Sequence, residues 1–378
     1  MNKRRICAIV ICSAIMGIFA SGQQTRKEEA KPIIIKVGHV NHDHQLALYA
    51  ALDNAGALGK KTGIEVKPIK DRELYDLFDS GRRIAEVEVV KVGGGSKMPT
   101  SLAQNVIDIG FGAAVASLAA VDNGMPIRII SPLHSKGNML AVRSDIPASN
   151  WMEFASYVKQ RTKPIRIGYK EPIAVAKMAI ESAFKDEGIS FSGDMFRKDI
   201  KVHMINVKGG EKLNSSLASG LIDGYAGNNP FPAIGLEQGM LKIVCSLDNL
   251  SGGKQKDMPC CCIAASQKAL EEKKEAIICL MVLFIQGTEL VNTDLDSAVK
   301  SACRWLGTSE KVERTSIPTS CYSMTESKEW HASMAKWIET MNELKEIKGK
   351  LKGMKEPDVA GIAYDFSLLH NAEKRLAK

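Results

Sequence analysis

Apolar residues in this chain come in short runs separated by longer segments of helical spacing. Ile33-Ile34-Ile35-Lys36-Val37-Gly38 reads as a buried first strand, and Leu46 to Leu58 as a helix ending at Gly59. A second strand begins at Gly63-Ile64-Glu65-Val66-Lys67, and another, Ala85 to Val92, runs into Gly93-Gly94-Gly95. Trp151 to Arg161 has an amphipathic helical pattern and is followed by the strand Arg166-Ile167-Gly168-Tyr169. The C-terminal part reads as helices over Gln267 to Gln286, Glu289 to Leu306 and Lys328 to Lys352. The last carries only a partial apolar stripe, Met334, Trp337, Ile338, Met341 and Leu344, as expected of a helix packed outside a lobe. Strands alternating with helices predict an α/β fold with mainly parallel sheets.

The pattern also repeats. Ser101-Leu102-Ala103-Gln104-Asn105-Val106-Ile107-Asp108 returns about 115 residues later as Ser216-Leu217-Ala218-Ser219-Gly220-Leu221-Ile222-Asp223. The echo continues through Gly112 and Gly227, then Gly124-Met125 and Gly239-Met240. Each copy reads as a helix end, a short apolar strand ending near Asp, a small-residue loop, a second helix and another strand. The opening unit recurs as well, Lys36-Val37-Gly38-His39 against Arg166-Ile167-Gly168-Tyr169. Two such units predict two lobes and a cleft between them. We place the first lobe at residues 33–140 and 260–378 and the second at 144–245, with hinge crossings at 138–143 and 260–265. Paired crossings restrict motion to opening and closing.

Composition changes this picture mainly at the N-terminus. Lys3-Arg4-Arg5, an apolar run from Ile6 to Ala20 and small residues to Gly22 have the layout of a cleaved secretory signal over residues 1–22. A polar leader follows over 23–32, and export to the periplasm is expected. The apolar stretch Ala276 to Ile285 is short for a membrane span and fits the buried face of a helix. The net charge of +8 falls to +5 without Lys3, Arg4 and Arg5, and the remainder is scattered over Lys-rich helices. Without a basic stripe or an aromatic platform, nucleic acid is not an expected partner. Nine Cys are present; Cys7 and Cys12 lie in the signal, leaving seven. An odd number in an exported chain leaves at least one thiol free or paired between molecules.

In open α/β sheets, ligands bind beyond the carboxyl ends of strands. That rule selects the loops His39 to Gln45, Gly110 to Ala114, Tyr169 to Ala174 and Gly224 to Phe231. The first holds three of the chain's seven His, at His39, His42 and His44, with Asp43 between them. Asp43 as a helix cap, imidazoles contacting a ligand, and His42 with His44 holding a metal are all open readings. Gly112, Ala113 and Ala114 let backbone approach a ligand; the alternative is close helix packing. Across the cleft, Tyr169, Lys170, Tyr225, Asn228 and Asn229 are candidate contacts, Asn-Pro also being a competent turn. Cys260-Cys261-Cys262 reads best as a tight buried strand, with a vicinal disulfide or a cleft-facing thiol left open. No nucleotide-binding, nucleophile-elbow or His-Glu-x-x-His motif occurs, so no catalytic residue and no cofactor are assigned.

Ile107-Asp108-Ile109-Gly110-Phe111-Gly112, Ile165 to Tyr169, Ile222-Asp223-Gly224-Tyr225-Ala226-Gly227-Asn228-Asn229-Pro230 and Pro259-Cys260-Cys261, in this order and spacing, carry a resemblance. The chain resembles periplasmic substrate-binding proteins of ATP-driven importers of the nitrate/sulfonate/taurine/bicarbonate type over about residues 33 to 345. The resemblance implies a two-lobed type II binding-protein fold with a double-crossing hinge, and a monomer. It implies a non-enzymatic component that closes on one small anionic or polar solute and docks on an inner-membrane permease. The His39 to His44 loop departs from that pattern. It keeps open a metal or metal-complex binder at His42 and His44; because this fold also hosts pyrimidine-synthesis chemistry with His and Cys residues, an enzyme of that type is the second alternative.

Overall fold

The computed structural model describes residues 33–250 and 254–377. The expected signal and leader, 1–22 and 23–32, therefore lie outside the described residues. The chain begins with β1 (Ile33–His39), a 3-10 turn at Asp43–Gln45, α1 (Leu46–Asp53) and α2 (Ala55–Leu58). A meander follows, β2 (Ile64–Lys70), β3 (Leu74–Asp79) and β4 (Arg82–Lys91), then α3 (Met98–Ala103), β5 (Ile109–Ala113), α4 (Ala114–Asp122) and β6 (Ile127–Lys136). The second lobe contains β7 (Asn138–Arg143), α5 (Trp151–Gln160), β8 (Ile165–Tyr169), α6 (Val175–Asp186), β9 (Phe191–Ser192) and β10 (Val202–Asn206). It closes with α7 (Leu213–Ala218), β11 (Gly224–Asn228), α8 (Phe231–Glu237) and β12 (Leu241–Ser246). The chain returns through β13 (Pro259–Ser266), α9 (Gln267–Glu272), α10 (Lys274–Thr293), α11 (Leu295–Leu306), α12 (Glu310–Ser316) and β14 (Ser320–Tyr322). It ends with α13 (Lys328–Glu343), α14 (Glu356–Ala363) and α15 (Ser367–Leu376).

Eight strands form one sheet in the order β14-β6-β13-β5-β1-β4-β3-β2, and six form the other in the order β12-β7-β11-β8-β10-β9. The fold is α/β with two lobes, each built on one of these sheets. Its sheets are parallel where β1 meets β4 and β5, and where β8 meets β10 and β11. The returning strands and the meander run antiparallel.

The repeat has a physical basis. Asp108 Oδ2 accepts from the Lys36 backbone N–H at 2.7 Å, and Asp223 Oδ2 accepts from the Arg166 N–H at 2.9 Å. Ile107 lies over Gly38 and Ile222 over Gly168 so closely that a Cβ would fall 2.4 and 2.6 Å from their Cδ1 atoms. Each copy thus locks its first strand against the strand that follows the repeated Asp.

Several boundaries differ from expectation. Strands β5 and β11 begin after Asp108 and Asp223, so the expected glycine loops at Gly110 to Ala114 and Gly224 to Phe231 are largely strand. Small residues are needed there because Met98 crowds Gly110, and Val142 with the Ala141 carbonyl crowds Gly224. Ile33 and Ile34 are exposed, since β5 joins β1 only from Val37 onward. The expected crossings do not straddle the lobes. Residues 138–143 pair only in the six-stranded sheet, and 259–266 only in the eight-stranded one. The first crossing is instead the turn at Gly137, where φ is +71° and a Cβ would lie 2.2 Å from Ser320 Oγ. The helix expected to reach Lys352 stops at Glu343, because Asp122 draws out the following segment by accepting from the amides of Lys348, Gly349 and Leu351, each at 2.8 Å. Helix α10 is long and apolar enough to span a membrane by composition, but its buried face packs on α1, where Gly287 has no room for a Cβ beside the Ala47 carbonyl.

Candidate functional site

The site starts from the loop that leaves β1 at the centre of the larger sheet. His42 is extended, and the 3-10 turn that follows turns His44 under the hinge. Asp43 does not cap this turn. Its carboxyl is buried against Ser316 Oγ, with Glu313 also bonded to that hydroxyl at 3.3 Å, and Tyr322 Oη donates to the Asp43 carbonyl at 2.8 Å. Burial, then the neighbouring Glu313, pushes the Asp43 carboxyl well above its ordinary range. Asp43 therefore anchors the loop to α12. His39 also turns away: its Nδ1 lies 3.0 Å from Tyr49 Oη, and its ring meets Trp305 edge-on at 5.7 Å. Burial, with Lys91 adding, lowers its pKa to about 4.

His44 is the turning point of the site. Its Nε2 lies 3.2 Å from the Gly137 carbonyl, an acceptor only, so Nε2 carries the proton and donates. Burial, followed by the proximity of His134, lowers its pKa to about 4, so the ring is neutral. Nδ1 is left as a lone pair, 3.4 Å from Cys260 Sγ and 3.9 Å from Cys261 Sγ. His134, from β6, stacks edgewise on His44 with ring centroids 4.1 Å apart. Its Nδ1 lies 3.2 Å from the Ser135 carbonyl, and its buried Nε2 has no protein partner. One donor atom from each of His44, His134, Cys260 and Cys261 lies within 4.8 Å of the others, and all four residues are buried. Burial works against a thiolate at Cys260, but the neighbouring Cys261 thiol, 4.0 Å away, favours it, and the Cys260 thiol lies below the ordinary thiol range.

The second lobe supplies a different wall. Lys170 Nζ donates to Asn228 Oδ1 at 2.7 Å, and Asn228 Nδ2 to the Asn229 carbonyl at 2.7 Å. Asn138, just past the crossing, donates to Cys260 Sγ at 3.2 Å. Glu171 reaches over to the glycine loop of the first lobe, where its Oε2 accepts from the Ser96 N–H at 2.9 Å; a Cβ on Gly94 would collide with this carboxylate. Asn229 Nδ2 makes a second bridge, donating to the Ser316 carbonyl at 2.9 Å and to Thr319 Oγ1 at 2.6 Å. These contacts close the lobes on an inner cavity of about 20 Å³, lined by His42, His44, Gly112, Ala113, Lys170, Cys260 and Cys261 among others. That is room for about one water-sized body. An outer chamber of about 440 Å³ adjoins it past His42, Gly95, Lys170 and Glu171.

Of the expected residues, the structure brings His42, His44, Gly112, Ala113 and Lys170 to this cavity, with Asn228 holding Lys170. His39, Asp43, Ala114, Tyr169, Tyr225 and Asn229 do not line it. Ala114 opens α4, Tyr169 lies under Lys177 Nζ at 5.7 Å, and Tyr225 donates to Asn214 Oδ1 at 2.7 Å inside the second lobe. The open reading of His42 with His44 as metal ligands meets a different grouping here. His42 stands outside the cluster, while His134 and two of the three consecutive thiols stand inside it. The triplet Cys260 to Cys262 is a buried strand as expected, and all seven cysteines of the described residues are free thiols. His134 was out of reach of sequence spacing, since only the pairing of β6 with β13 brings it to the cysteines.

A family model described as the NMT1-like family matches residues 75–307. The chain belongs to the NMT1-like family. An uncharacterized protein from Methanocaldococcus jannaschii is 30% identical to this NMT1-like protein over 132 residues, covering 35% of this chain and 88% of that one. Among solved structures, the ligand-binding component of an ABC-type import system from Staphylococcus aureus, with zinc bound, aligns at a TM-score of 0.68 and 14% identity over 90% of this chain and 99% of that one. The alkanesulfonate-binding protein SsuA from Xanthomonas axonopodis pv. citri, bound to MOPS, aligns at 0.64 and 13% identity over 89% and 99%. The periplasmic nitrate-binding protein NrtA from Synechocystis PCC 6803 aligns at 0.65 and 12% identity over 92% and 89%. At these identities the likeness establishes the shared binding-protein fold.

Proposed function

We propose that this NMT1-like protein is the solute-binding component of an ABC-type importer, which captures a small polar solute between its lobes and delivers it to a membrane permease. The observation that carries the reading is the inner cavity, whose walls come from both lobes. A solute seated there favours the closed form through contacts that exist only when the lobes meet, as capture by closure requires. The sulfonate-, nitrate- and zinc-holding proteins of the same fold support a binding role over turnover and a location outside the inner membrane.

The chemistry of the walls narrows the solute. His42 and His44 are neutral, because burial holds both well below the ordinary imidazole range. Lys170 is the one cation among the described residues lining the inner cavity, and Glu171 stands beside it. This balance suits a small polar or metal-containing solute better than a bare multivalent anion. Native mass spectrometry of the freshly purified protein identifies what it carries, and small-angle scattering with and without that species reads closure. A solute that binds at one per chain and compacts the protein fits the proposal. Catalytic consumption of the solute, or no compaction by any candidate, overturns it.

A further inference from the structure

We propose that His44, His134, Cys260 and Cys261 form a four-coordinate site for one zinc-class transition-metal ion at the floor of the cleft. This deepens the capture reading and rests on it for the claim that the ion is cargo. Two imidazole nitrogens with two sulfurs are the donor set of tetrahedral zinc and its near relatives, and thiolate ligands select against magnesium and calcium. Two thiolates neutralise a divalent ion, so the buried assembly carries no net charge once the Cys protons have left to solvent.

Three separate features support the assignment. The four donor atoms already stand within 4.8 Å of one another, although they come from three segments far apart in sequence. Next, His44 presents a lone pair on Nδ1 because its Nε2–H is held by the Gly137 carbonyl, the arrangement by which a backbone carbonyl fixes a ligating tautomer. Finally, His134 Nε2 is buried without a partner while its Nδ1 is held by the Ser135 carbonyl. An orphaned buried nitrogen in such a cluster costs stability unless a ligand takes it up. The inner cavity of about 20 Å³ borders three of the four residues, His44, Cys260 and Cys261, and while the lobes are shut it excludes an organic solute from them.

All four donors belong to the larger sheet or to the loop that leaves it, and none to the second lobe. The ion therefore loads on the open protein, and closure brings Lys170, Asn138 and Glu171 over it. An ion arriving with a small anionic chelator would place that anion toward Lys170 and the outer chamber.

The test uses the protein stripped by a chelator under reducing conditions and titrated with Zn(II), then with Co(II) as an optical probe. We expect one ion per chain and sulfur-to-cobalt charge-transfer absorption with the intensity of tetrahedral coordination. Cys261→Ser and His134→Ala should each weaken binding by about 100-fold or more, whereas Cys321→Ser, which removes an exposed thiol, should leave it unchanged. Should a variant fail to fold, alkylation of the wild type decides instead: Zn(II) should protect Cys260 and Cys261 and leave Cys321 reactive. Protection or absorption that follows Cys321, or affinity indifferent to Cys261 and His134, overturns the site. Scattering on the same samples separates the two claims. Tight binding without compaction keeps the site and removes the cargo role, whereas compaction by another solute without metal binding keeps capture and removes the site.

Discussion

In the first lobe Asp108 holds the Lys36 amide and Ile107 covers Gly38; in the second Asp223 holds the Arg166 amide and Ile222 covers Gly168. The two copies agree at these supporting positions and part company where the strands reach the cleft. Following the Asp, β5 reads Ile109-Gly110-Phe111-Gly112-Ala113 and β11 reads Gly224-Tyr225-Ala226-Gly227-Asn228. Ala113 leaves space beside the thiols of β13, whereas Asn228 fills the matching position and holds Lys170. Backbone support is repeated because both sheets need it. The cleft-facing ends are free to differ, so one lobe offers soft donors and the other a cation and amides.

Giving the first lobe the second lobe's residue is the most disruptive way to break this comparison. Phe111 is fully buried against Phe284, with ring centroids 5.0 Å apart. Phe111→Ala should cost about 3–5 kcal/mol in denaturant unfolding, and a loss under 1 kcal/mol would show that the core there collapses freely. The repeated carboxylates come next. Asp108→Ala strands Lys273, which donates to it at 2.7 Å, and should cost about 3 kcal/mol. Asp223→Ala should cost less, because its partners Arg166 and Arg143 are more exposed than Lys273. Equal losses would remove the distinction. A smaller effect is expected at Glu171→Gln, which weakens a hydrogen bond between the lobes by about 1–2 kcal/mol and should raise the average radius in scattering without lowering the melting temperature appreciably.

The smallest effect concerns pH. His331 is partly buried, which alone would lower its pKa, but its bonds to Glu356 at 2.5 Å and Glu326 at 2.9 Å hold it above the ordinary value; His370 shares Glu326 at 2.6 Å. A raised folded-state pKa means this stabilisation is complete below the unfolded value of 6.5 and is lost as pH rises through the folded one. The wild type should therefore lose a little stability from pH 6 to pH 8, and His331→Gln should flatten that slope. An unchanged slope would assign it elsewhere.

Much of the fold was legible because periodicity and the internal repeat are local or self-referential signals. The strand Leu74–Asp79 went unread, because its sequence runs apolar-apolar-polar twice instead of alternating, although only Tyr75 and Leu77 are buried there. The site was legible only in part. His42, His44 and Lys170 follow strands whose ends point into the cleft, so the rule for open sheets reaches them. His134 and the thiols of Cys260 and Cys261 reach the site through pairing between β6 and β13, separated by more than a hundred residues of inserted lobe, and no spacing rule spans that distance. Asp43 shows the converse: a carboxylate among histidines reads as chemistry, yet it serves to fasten the loop.

The Gly137 carbonyl accepts from the Asn229 amide of one lobe at 3.0 Å and from His44 of the other at 3.2 Å. A single oxygen thus pins the two lobes together and aims an imidazole at whatever lies beneath it. On the proposed closure, any tilt of the jaws would reach that ring through this one atom.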